Sequence, residues 1–144
     1  MKNRKLILLV AAILFFTSIS SAQESTAKNY RSQYAQLREK VIALMTRAQD
    51  TSLDRLSPDR LALLDEKSAI FELTARLRGQ AMDDFLASYE SRGPDKSLLI
   101  VSHACDALGF TLQSLDSFIQ TSDRRFLVLA KHGIDLMDSV EQFY

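Results

Sequence analysis

One cysteine, two prolines, four glycines and no tryptophan are spread over the 144 residues of this chain. A lone cysteine, Cys105, leaves no internal disulfide available, so the fold must stand on its apolar core. At this length such a core is feasible. Scarce glycine and proline mean little turn punctuation, which predicts long uninterrupted elements, and those are helices rather than short strands. No alternating apolar–polar run of useful length appears.

The motifs of common chemistries are missing too. There is no Glu-x-x-His pair for a di-iron bundle site and no Cys-x-x-Cys-His for covalent haem. No Gly-rich phosphate loop or nucleophile elbow is present. A non-covalent haem needs axial His or Met converging in a core, and Met45, Met82 and Met137 each fit an apolar stripe as filler. No cofactor or metal is expected, and no enzyme activity is expected either.

What is present begins with a signal. Lys2, Arg4 and Lys5 precede an unbroken apolar run, Leu6 to Phe16, and then the polar shoulder Thr17 to Ser21 and the small residues Ser20-Ser21-Ala22. This is the layout of a bacterial secretory signal peptide, residues 1–22, cleaved after Ala22. The alternative is an uncleaved inner-membrane anchor. A spanning helix needs about 20 mostly apolar residues, and this run is roughly half that, so cleavage and a periplasmic or secreted location are the expectation.

Removing residues 1–22 takes three positive charges from 18, leaving 15 Lys and Arg against 18 Asp and Glu, a net charge of −3. A weakly acidic surface carries no electrostatic footprint for nucleic acid.

The mature segment, residues 23–144, reads as one domain with four amphipathic stretches. In the first, about 25–50, Tyr30, Tyr34, Leu37, Val41, Leu44 and Ala48 alternate four- and three-residue steps along one helix face. In the second, about 58–91, Ser57-Pro58-Asp59 supplies an N-cap, a first-turn proline and an acid at the positive helix end. Its expected stripe is Leu61, Leu64, Phe71, Ala75, Met82, Phe85 and Tyr89, widened by Leu63, Ile70 and Leu77. A stripe this wide suggests more than one neighbour, and Gly93-Pro94 ends the helix.

The third stretch, about 95–120, keeps the rhythm without a miss through Leu98, Val101, Cys105, Leu108, Leu112, Leu115 and Ile119. Thr121-Ser122-Asp123 ends it and caps the fourth, about 123–143, which carries Phe126, Ala130, Gly133, Met137, Val140 and Tyr144. Four helices with short connections bury their stripes most simply as an up-down-up-down antiparallel bundle. The fold expected is therefore all-α, a four-helix bundle after the signal.

His103 and Cys105 lie close in sequence but two apart on a helix, where side chains point to nearly opposite sides. They cannot act as base and nucleophile, which requires hydrogen-bond reach of about 3 Å. Cys105 is expected to pack and His103 to face outward. Nor can His103 and His132 share a metal. About a hairpin near Thr121 they stand roughly 28 and 16 Å above the turn, at a rise of about 1.5 Å per residue. Each has an Asp three residues on, Asp106 and Asp135, within reach of a local ion pair that could tune its protonation.

Gly109 and Gly133 are less expected, since each costs a helix interior about 1 kcal/mol relative to Ala. The same hairpin geometry sets them nearly level, beside Phe110 and His132. Either they allow close helix approach or give room to a bulky neighbour such as Phe71 or Phe85, or Gly109, Phe110, His132 and Gly133 form a notch for an apolar ligand or a partner's side chain. The functional expectation is an exported, non-enzymatic protein-binding bundle of the adaptor, chaperone-like, inhibitor or immunity type, whose partner is another envelope or secreted protein. A small-ligand carrier with its site near Gly109 and Gly133 is the alternative. A membrane enters only if the signal stays uncleaved.

Overall fold

A computed structural model describes residues 27–51, 57–91 and 93–143 of the chain. The expected signal peptide, its cleavage point after Ala22 and most of the break between the first two helices lie outside these residues, as does Tyr144. The described residues form four helices and no strand: α1 over 27–50, α2 Pro58–Ser91, α3 Lys96–Thr121 and α4 Arg124–Glu141.

The helix ends follow local chemistry. Ser57 Oγ accepts from the Arg60 backbone N–H at 3.1 Å, leaving Pro58 in the first turn where its missing N–H costs nothing. Gly93 takes a left-handed φ of +99°, turning the chain after α2. Asp95 then caps α3 by accepting from Ser97 N at 3.0 Å. Between α3 and α4 only Ser122 and Asp123 are needed. Ser122 is left-handed at φ 58°, its N–H closes onto Phe118 O at 2.7 Å, and Asp123 accepts from Arg125 N at 2.9 Å. Both loops are thus short and capped, which forces antiparallel neighbours.

Cross-helix contacts set the order around the bundle. Tyr30 donates to Asp84 and Arg47 pairs with Glu66, so α1 and α2 run antiparallel. Lys67–Asp116 and Arg78–Asp106 do the same for α2 and α3. Gly133 sits against Thr111 across α3 and α4. Arg38 reaches both Asp138 and Glu141, closing the ring between α1 and α4. Each helix has two antiparallel neighbours, which is the up-down-up-down bundle that the sequence pattern predicts.

The core runs the length of this ring. Tyr34, Leu37, Val41, Leu44 and Ala48 come from α1, and Leu98, Val101, Cys105, Leu108, Leu112, Leu115 and Ile119 from α3, all buried as their spacing predicts. α4 contributes Ala130, Gly133 and Met137, with Phe126 and Val140 packed at the margin.

The stripe expected on α2 is a correction. Its buried line is Leu63, Ile70, Thr74, Leu77 and Ala81, while Leu61, Phe71 and Tyr89 are exposed. The two lines differ by one residue, about 100° around the helix. At most turns both offer an apolar side chain. Arg78 decides it, because it interrupts the Leu64–Phe71–Phe85 line where Leu77 continues the other. Burying an unpaired guanidinium would cost far more than exposing a Phe edge. The consequence is a second apolar line on α2 that the core uses only in part, at Leu64.

Candidate functional site

Phe71 belongs to that second line, and at its level α2 and α3 do not close. A cleft of about 230 Å3 opens there, lined among others by Phe71, Ala75, Arg78, Gly109, Phe110 and Gln113. Two aromatic rings flank it, Phe71 at 36% exposure and Phe110 at 42%. The helix backbone of α3 comes to the surface between them at Gly109. A Cβ placed there would meet only Phe71 Cε2, at 4.0 Å, an ordinary contact. Arg78 and Asp106 pair across the seam and form a polar edge, with Asp106 also 3.8 Å from His103 Nδ1.

Thr74 and Cys105 line the inner side. The Thr74 hydroxyl is satisfied by donating to Ile70 O at 2.9 Å. The Cys105 thiol is pushed up to about 12, first by burial and then by the nearby Asp106 carboxylate. At neutral pH it stays a protonated thiol, and only a thiolate is a useful nucleophile. What this cleft can do chemically is receive an apolar group between two rings and orient it with an ion pair and an amide.

Gly133 behaves differently. It is buried, and a Cβ there would fall far inside contact with Thr111 Oγ1 while lying 3.1 Å from both Thr111 Cβ and Phe110 Cδ1. Thr111 cannot yield easily, since it is itself buried and donates to Ala107 O at 3.0 Å. Gly133 therefore marks a close crossing of α3 and α4.

Of the four residues read as a notch, Gly109 and Phe110 line the cleft, whereas Gly133 does not and faces Thr111 and the Phe110 ring. His132 is exposed and its Nδ1 lies 4.0 Å from Asp135 Oδ2, as a surface pair. With Gly133 opposite Thr111, His132 stands about 13 Å along the bundle from the level of His103. Among the described residues no three His, Cys, Asp or Glu side chains gather closely enough to hold a metal ion.

Nothing in the sequence singles out Arg78 and Gln113, whereas Phe71 stands both in the expected α2 stripe and as an expected bulky neighbour for the helix glycines, and it is the side chain nearest Gly109. The available signal was Arg78 itself, a charge breaking an otherwise apolar heptad line and so marking where that line meets solvent. No family model, curated protein or solved structure matches the chain.

Proposed function

We propose that the chain is an exported, non-enzymatic bundle that acts by binding another protein of the bacterial envelope or a secreted one, through the α2–α3 cleft. The observation carrying this reading is the pair of half-exposed rings, Phe71 and Phe110, set on either side of a glycine backbone. Aromatic anchors beside a small pocket with a polar rim are the usual makings of a binding hot spot. Arg78, Asp106 and Gln113 supply such a rim. The export half of the reading rests on Lys2 to Ala22 and their signal-like layout.

The size of the cleft favours a partner's side chain over a free ligand. Small-molecule sites run from about 300 to 1,000 Å3, and this cleft holds about 230 Å3. The carrier alternative at this cleft is the weaker one for that reason. A non-enzymatic role is supported by a Cys105 thiol held protonated and by histidines that face solvent on separate levels.

Native mass spectrometry of protein taken from its own envelope tests the proposal. The expected result is a chain beginning at Gln23 with a stoichiometric polypeptide attached. A chain retaining Met1 to Ala22 would replace export with anchoring. A bare chain, or one carrying only a small molecule, would contradict protein binding.

A further inference from the structure

A second groove, between α1 and α2, has a different character. It encloses about 300 Å3 and is lined by Gln33, Gln36, Leu37 and Lys40 from α1 and by Leu73, Arg76, Leu77 and Gln80 from α2. Two cations and three carboxamides face this space, and no carboxylate lines it. Lys40 and Arg76 take part in no ion pair among the described residues, in contrast to Arg38, Arg47, Lys67, Arg78 and Arg125.

Polar contacts close the seam above and below this groove. Tyr30 donates to Asp84 at 2.7 Å toward one end, and Arg47 holds Glu66 toward the other. Glu39, next to Lys40, leans instead to Arg38 at 3.6 Å. Glu72 stands four residues before Arg76, where an ion pair is geometrically open to it, and none forms. Lys40 and Arg76 therefore bring two positive charges without ion-pair partners among the described residues to the same groove.

The floor is apolar. Leu37 and Leu77 are buried, and Leu73 remains 40% exposed at the groove. Covering that surface rewards an apolar body at roughly 25 cal/mol per Å2. Arg76 and Lys40 together with the glutamine amides offer several donors to an anionic group, and a carboxylate joined to an apolar body also matches the leucine floor.

We propose that this α1–α2 groove binds an amphiphilic carboxylic acid, its carboxylate between Lys40 and Arg76 and its apolar chain along Leu73 and Leu77. The volume lies at the lower end of small-molecule sites, which suits a medium-length chain. The site is separate from the α2–α3 cleft, and the inference does not rest on the protein-binding reading.

Decanoate, kept below its micelle concentration, is the probe, titrated into the full-length protein and followed by amide and methyl chemical shifts. Saturable shifts confined to residues 33–40 and 73–80 are expected. Lys40→Gln and Arg76→Gln should each weaken decanoate binding about fivefold to tenfold, in keeping with loss of one charge-assisted contact. Both side chains are exposed, so both variants should keep the wild-type urea midpoint. Decanol and inorganic phosphate are the controls for tail and charge alone. Shifts elsewhere, unchanged affinity in both variants, or phosphate binding as tightly as decanoate would each overturn the assignment.

Discussion

The two flanks of α3 solve the same problem in opposite ways. Against α4, the helix backbones come so close at Gly133 that Thr111 occupies the space a side chain would need. Against α2, the glycine at nearly the same level, Gly109, has ordinary room around it and faces a cleft. One glycine removes a side chain so that two helices can touch. The other removes a side chain where nothing of this chain takes its place. The difference teaches that a mid-helix glycine acquires meaning only from what stands opposite it, and here one flank is sealed while the other is left accessible.

Core substitutions should give the largest effects, because both flanks share one core. Leu112→Ala leaves a cavity at a fully buried position and should cost about 2–5 kcal/mol in urea unfolding. A loss under 1 kcal/mol would mean that the centre of α3 is loosely packed, and the contrast between its flanks would collapse.

The glycines test the contrast itself. Gly133→Ala adds a methyl where Thr111 already sits, and overpacking of that kind costs about 1–3 kcal/mol. Gly109→Ala meets only Phe71 at 4.0 Å, so its gain in helix propensity should show through as about 0.5–1 kcal/mol of added stability. Equal effects of the same sign would break the comparison.

Alkaline titration sharpens it further, since Cys105 lies on the cleft flank but below its surface. The Cys105 thiol moves from its ordinary value near 9 up to about 12, by burial first. The unfolded chain then gives up this proton before the folded chain does, so the stabilisation is complete below about pH 9 and is lost as pH climbs toward 12. Tyr30, raised from 10 to about 12 chiefly by its hydrogen bond to Asp84, acts in the same direction over a higher range. Urea midpoints at about pH 8 and about pH 10.5 should fall with rising pH, and Cys105→Ala should flatten the fall. An unchanged slope would mean that water reaches the thiol.

The smallest effect belongs to the exposed part of the second line on α2. Leu61 is 57% exposed, and Leu61→Ala should shift stability by no more than about 0.5 kcal/mol. Leu63→Ala, two residues on and buried, should cost several times as much. Reversal of that ratio would restore the stripe first read from the sequence.

Much of the bundle was legible in the residues alone. α1 and α3 each present a single apolar line, so periodicity and burial coincide, and the helix ends at Pro58, Gly93 and Ser122 announce themselves through proline, glycine and a capping pair. α2 was legible as a helix but not as a face. With apolar residues at both 63 and 64, and at both 70 and 71, spacing alone favours neither line. The choice needs the identity of residues 77 and 78 to be weighed as a packing cost. At the site, Gly109 and Phe110 stood out, since glycine inside a helix is costly. The level of Gly133 was also readable, but its direction was not, because rotation about the α4 axis is set by Ala130 and Met137 packing into the core. Lys40 and Arg76 gave no signal, since an unpaired cation looks like any other until its neighbours are placed.

Comparison of wild-type protein with Phe110→Ser, both taken from the native envelope and weighed as intact complexes, tests the central claim most directly. Phe110 is 42% exposed and its ring also lies by Gly133, so the variant should lose about 1–2 kcal/mol in urea unfolding while remaining folded. The account predicts that wild type carries a stoichiometric partner chain and that Phe110→Ser emerges alone and folded. A Phe110→Ser protein that still carries its partner would contradict it.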